Sequence, residues 1–263
     1  MLDKELLVFP MMSGVSCLMV LASFVGPLWG SELIAPIVNE GQLPEDPLAW
    51  VLLAAFYFLN YFVIVFFNSA LVACAIIRLK GGNPGVSDGL RASMARLPQI
   101  CSWAAVSATV GLILRVVESR SERGGQFFAS IFGLAWTITT YFVVPVLVIE
   151  KTGPIEASKR SLSIVRKTWG EAMIANFGIG VVSFLATLPG GAAIVGGVML
   201  VNGSQQGIGI ALLITGGCWL LLVTLVSSAL NSILLGALYL YAAEDQVPQG
   251  FEERALRNAF AGR

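Results

Sequence analysis

Apolar runs of about 20 residues or more recur along the whole length of this chain. A helix needs about 20 such residues to cross roughly 30 Å of hydrocarbon. The runs mark about six spans, near Leu6–Trp29, Leu48–Ile77, Leu97–Val117, Gln126–Ile149, Ala172–Leu200 and Ile208–Ala243. They are continuously apolar rather than alternating, which excludes barrel strands. In lipid every backbone amide must be satisfied within the segment, so the spans are helices. The expected fold is all-α: a polytopic membrane protein forming a single integral membrane domain over residues 1–263. The second, fifth and sixth runs exceed a perpendicular crossing and predict tilt or extension into water.

Six crossings return both termini to one side, and the cations say which. With cytoplasmic termini, Lys4, the loop cations from Arg78 to Arg96 and from Lys151 to Lys167, and Arg254, Arg257 and Arg263 all lie inside. Only Arg115, Arg120 and Arg123 of the 16 basic residues lie outside. The loop between the first two spans carries Glu32, Glu40, Glu45 and Asp46 and no cation. The first run follows Asp3, Lys4 and Glu5 without a basic leader and is expected to be a retained helix. A prokaryotic cytoplasmic membrane with both termini inside is the expected location.

Charged residues are 12% of the chain, against roughly 25% in soluble domains. The 16 basic and 16 acidic residues cancel, so no nucleic-acid partner is expected. Histidine is absent, which removes the commonest general base and transition-metal ligand. Cys17, Cys74, Cys101 and Cys218 fall inside spans without a C-x-x-C pair and read as small packing residues. No phosphate-binding loop, nucleophile elbow or H-E-x-x-H is present. Neither catalysis, a cofactor nor a metal is expected.

The two long cytoplasmic loops are alike. At an offset of about 68 residues, Asp88 matches Glu156, Arg91 matches Lys159, Ser93 matches Ser161 and Met94 matches Leu162. Each loop is a Gly/Pro turn followed by a short helix and then a new span. This predicts an internal duplication of repeat-like hairpins, 48–117 and 126–200, each with a cytoplasmic elbow helix. Both elbows are amphipathic. Val86, Leu90, Met94 and Leu97 share one face of the first, and Ile155, Leu162, Val165 and Trp169 one face of the second. Arg91, Lys159, Arg160, Arg166 and Lys167 lie off those faces. They are candidates for contact with inner-leaflet lipid or a partner, against the plainer reading of positive-inside topology with the elbows packed on their own bundle.

Ionisable groups are nearly absent within the spans. Arg115 and Glu118 are spaced to pair at the outer end of the third. Glu150 sits beside Lys151, and Glu171 near the start of the fifth span suits a helix N-terminus. The amides of Asn60, Asn68, Asn176 and Asn231 must find partners in lipid. Asn68, Asn176 and Asn231, with Ser69, Ser227 and Ser228 nearby, form a candidate intramembrane polar seam. It serves either as glue between helices or as the lining of a polar path. Ser228, Ser232 and Gly236 in span six, and Ala192 with Gly196 in span five, form small faces for close packing. Pro189-Gly190-Gly191 predicts a kink or an early end to span five.

The run from Val144 to Glu150, then Gly153-Pro154, Ala157 and Arg160-Ser161, with Thr168-Trp169-Gly170-Glu171, resembles an uncharacterised family of prokaryotic integral membrane proteins, a domain of unknown function. Leu6-Leu7-Val8-Phe9-Pro10 with Ser13-Gly14, Phe67-Asn68-Ser69-Ala70 and Asp88-Gly89-Leu90-Arg91 extend the resemblance over almost the whole chain. More distantly, the elbow and the closing Ala237-Leu238-Tyr239-Leu240-Tyr241 resemble the membrane domain of some glycerophosphodiester phosphodiesterases. That kinship implies a lipid-embedded module. The catalytic barrel of those enzymes has no counterpart here, and their activity does not carry over.

The first functional expectation is a non-enzymatic scaffold or lipid-interacting accessory protein. Membrane lipids would be its partners, with other membrane proteins or a second copy of the chain as further candidates. The alternative is a small permease or flippase-like transporter with its path between the two hairpins. A scaffold requires a closed bundle with the amides paired helix to helix. A transporter requires an accessible cavity lined by them near the midplane.

Overall fold

The computed structural model describes residues 4–28, 44, 46–120, 124–201 and 205–244, apart from the side chains of 4, 26–28, 120, 124–126, 128 and 168–177. The described residues form α-helices joined by short turns, in the order α1 (Lys4–Leu28), α2 (Pro47–Leu79), α3 (Val86–Met94), α4 (Leu97–Arg120), α5 (Gly124–Thr139), α6 (Val143–Glu150), α7 (Pro154–Val201) and α8 (Gln206–Glu244). Among the described residues, six segments are long and apolar enough to cross a membrane, with α5 and α6 together counted as one. The architecture is that of a polytopic all-α membrane protein.

Helix α2 is the central rod. Asp46 caps it by accepting the Leu48 N–H at 2.7 Å, and Pro47 takes the first helical position, where no N–H is needed. Every residue from Ser69 to Ile76 is buried, so no face of this stretch meets solvent or lipid. α1, α3, α4, α6 and α8 all pack against α2. The beginning of α1, the turn after α2, the α6–α7 junction and the end of α8 gather at one end of the bundle. Phe9 of α1 abuts Gly89 of α3 there. At the same end, Lys80 pairs with Glu244 at 2.7 Å.

Helix α3 seats on α2 through small residues. Cys74 Sγ lies 3.6 Å from the Gly85 carbonyl it donates to, and Ser93 Oγ donates to the Phe66 carbonyl at 2.9 Å. Between these contacts a methyl group at Gly89 would stand 2.8 Å from the Ala70 carbonyl oxygen. The contacts step four residues at a time in opposite directions, so the two helices run antiparallel. The buried face of α3 is the one that carries the small residues. Gly89 and Ser93 are buried, while Met94 is 57% exposed. The same holds in the second elbow segment, where Ala157, Ser161, Ile164 and Val165 are buried and Ile155 is 70% exposed. Small side chains let backbones approach closely, and that outweighs the pull of the larger apolar groups.

The fourth span is not one helix but two. Pro145 has no N–H for the Tyr141 carbonyl, and the chain turns at 140–142 before α6 begins. The Phe142 N–H left over at this break is accepted by Ser161 Oγ of α7 at 2.9 Å. Lys151, with φ of 58°, ends α6 in the left-handed region, and α7 starts at Pro154 after Gly153. Nor is the second elbow a separate helix. α7 runs 48 residues without a break, through Pro189. Pro189 leaves the Leu185 carbonyl without its intrahelical donor, and one residue on the Trp219 indole N–H of α8 donates to the Ala186 carbonyl at 2.7 Å.

α7 and α8 form a long antiparallel hairpin. A methyl at Gly216 would stand 2.9 Å from the Gly190 carbonyl oxygen, and one at Gly209 2.9 Å from that of Gly197. Close approach therefore runs through Gly190 and Gly197, not through the expected Ala192 and Gly196. Gly236 in turn lets α8 settle on Ile76 and Leu79 of α2.

Candidate functional site

A cavity of about 550 Å³ lies between α2, the α5–α6 break, α7 and α8. Asn68 and Val72 line it from α2, and Tyr141 and Val144 from the break. Ser183 and Thr187 of α7 face it, as do Thr224, Ser227, Ser228 and Asn231 of α8. Asn68 is roughly 11 residues from Leu79 and Asn231 roughly 13 from Glu244, so both lie roughly 16–20 Å along their helices from the bundle end. Half of a roughly 30 Å hydrocarbon layer is comparable, which puts the cavity near mid-membrane.

Four of the lining hydroxyls settle their own hydrogen bonds. Thr187 donates to the Phe184 carbonyl and Thr224 to that of Leu220, each within its own helix. Ser183 and Ser227 share a 2.8 Å bond across α7 and α8. Among the described residues, the amides of Asn68 and Asn231 bond neither to each other nor to another group. Asn231 is exposed on the cavity side of α8. No charged side chain is among the described lining residues. Asn60 is different: its amide donates to the Phe56 carbonyl at 2.9 Å. Ser69 is buried in the core, its hydroxyl without a partner. The side chains of Asn176 and Glu171 lie outside the described residues.

Below the cavity, at the elbow end, polar contacts tie the helices together. Glu150 Oε1 of α6 accepts from Arg160 Nε of α7 at 2.9 Å and from Tyr239 Oη of α8 at 3.0 Å. Arg96, in the turn before α4, donates through Nε to the Val148 carbonyl at 3.1 Å. The sequence placed Glu150 beside Lys151, but its partner is Arg160, ten positions on. Arg160 is thus tied to α6 and half-buried, whereas Arg91, Lys159, Arg166 and Lys167 are exposed.

Ser183, Thr187 and Thr224 were not singled out in the sequence. Single hydroxyls in spans bond to their own helix so often that no signal separates those that line a cavity.

No curated protein and no solved structure matches the chain. The profile of a family of unknown function, DUF6159, matches residues 48–250, which takes in α2 to α8 and every described residue of the cavity, and the chain belongs to that family.

Proposed function

We propose that the protein is a non-enzymatic, permease- or flippase-like membrane protein whose path passes through the polar cavity between its two hairpins. One observation carries this reading: Asn68 and Asn231, on different helices at mid-membrane depth, face a common cavity instead of pairing. Interhelical glue would have joined them, because an unpaired amide in hydrocarbon is costly. The contacts of Glu150, Arg160 and Tyr239, with the Lys80–Glu244 pair, would form the inner closure of this path. In this reading the elbow end is the cytoplasmic one, as the distribution of cations requires. The shared pattern of a buried small residue and a buried serine four positions on, Gly89/Ser93 and Ala157/Ser161, supports duplication of the hairpins.

Sided cysteine labelling tests the reading. In a background without the four native cysteines, Ser228→Cys should react with a small polar thiosulfonate added to proteoliposomes. Val143→Cys, fully buried, should not. Equal inertness of the two would reject a path.

A second reading is favoured by the exposure of Arg91, Lys159, Arg166 and Lys167 beside the exposed apolar Met94 and Ile155. These elbows are suited to rest on an anionic inner leaflet, each basic residue contributing about 1 kcal/mol. Neutralising Lys159, Arg166 and Lys167 together should weaken the preference for anionic lipid. An unchanged preference would leave these cations with a topological role alone.

A further inference from the structure

We infer that the cavity holds the uncharged, hydroxyl-bearing headgroup of a membrane lipid; this rests on the reading of the cavity as a path. Three features point to that ligand. The described lining offers amides and hydroxyls, donors and acceptors alike, with no charged side chain among them. A phosphate or ammonium at this depth would be buried without a counter-ion, which is strongly disfavoured. A hydroxyl-rich neutral head would instead engage the two amides left open, Asn68 and Asn231.

The cavity's mouth supplies the second feature. Asn231 is exposed, and the outward faces of α7 and α8 nearby carry Phe184, Leu185, Leu221 and Leu222, each more than half exposed. In a bilayer such a rim faces hydrocarbon, so the opening is reached from the lipid. The third feature is the mixed wall, where Val72 and Val144 line the cavity alongside the polar groups and suit the first carbons of an acyl chain. A volume of about 550 Å³ is in the range that holds a small-molecule-sized group.

Photolabelling of the full chain in phosphatidylethanolamine nanodiscs tests this. The probes are a monoglucosyl diacylglycerol and a phosphatidylglycerol, each with a diazirine at the same acyl position near the head. The glucolipid should label segment 223–235 at least about tenfold more than phosphatidylglycerol, the ratio expected from one lost hydrogen-bonded site or one uncompensated charge. Asn231→Leu and Asn68→Leu should each lower that labelling about three- to thirtyfold. If either variant is poorly folded, the Thr224→Val, Ser228→Ala pair should lower it in the same direction. Excess unlabelled glucolipid should compete, and free glucose should not.

Equal labelling by both lipids would overturn the uncharged-head inference while leaving a path in place. Competition by glucose as strong as by glucolipid would overturn the lipid source. Failure of both probes to reach 223–235 would overturn both the inference and the path.

Discussion

The hydroxyl of Ser161 on α7 accepts the backbone N–H of Phe142 at 2.9 Å, and both residues are fully buried. This contact satisfies the donor freed where the fourth span breaks, so the break and the second elbow depend on each other. Ser161→Ala should destabilise the protein by about 1–3 kcal/mol, the cost of leaving a buried amide unpaired. Thermal unfolding in detergent checks this against Ser163→Ala, whose exposed hydroxyl only bonds its own helix and should change stability by about 0.5 kcal/mol or less. Equal shifts for the two variants would contradict the assignment.

Gly89 should tolerate no side chain. A methyl there would stand 2.6 Å from Phe9 Cζ and 2.7 Å from Cys74 Sγ, and the nearby Ala70 carbonyl is backbone and cannot rotate away. Gly89→Ala should cost about 1–3 kcal/mol. Gly14→Ala on α1, where nothing lies within 4 Å, should instead be neutral or stabilise by about 0.5–1 kcal/mol through helix propensity. Retention of a monodisperse peak after heating a fluorescent fusion would read both variants. Survival of Gly89→Ala at the wild-type midpoint would show that α3 is not seated on α2.

The Glu150–Arg160 pair should couple weakly. Its side chains are 26% and 40% exposed, so solvent screens the charges. A double-mutant cycle with Glu150→Gln and Arg160→Met should give a coupling of about 0.5–1 kcal/mol in stability. A value near zero would mean that the pair does not tie α6 to α7.

Orientation has its own test. Cysteines at Arg91 and Lys159 should react with an impermeant maleimide only after the cytoplasmic face is opened, and a cysteine at Gln205, between α7 and α8, should react in intact cells. The reverse pattern would invert the molecule and remove the inner-leaflet role of the elbows.

Much of this architecture is legible in the residues. Continuous apolar runs placed all six crossings within a few residues, because burying backbone in lipid leaves helices as the only solution. The break at 140–142 was not legible, although Pro145 gave a hint, because Ser161 supplies the missing partner from another helix. Which face of each elbow packs inward was not legible for a related reason. Large apolar residues mark a face on a helical wheel, but Gly89 and Ala157 decide which face can come close. Asn68 and Asn231 stood out at once as amides in lipid. That both turn to one cavity depends on the rotation of α2 against α8, which the Gly236 contact sets and no local pattern encodes.

The most direct measurement is the stability of the Asn68→Leu, Asn231→Leu double variant, read as thermal unfolding of the purified protein in detergent. If the two amides face a cavity and hold no helices together, the midpoint should stay where it is or rise. If they are interhelical glue, stability should fall by about 0.6–2 kcal/mol for each, and the cavity reading would be contradicted.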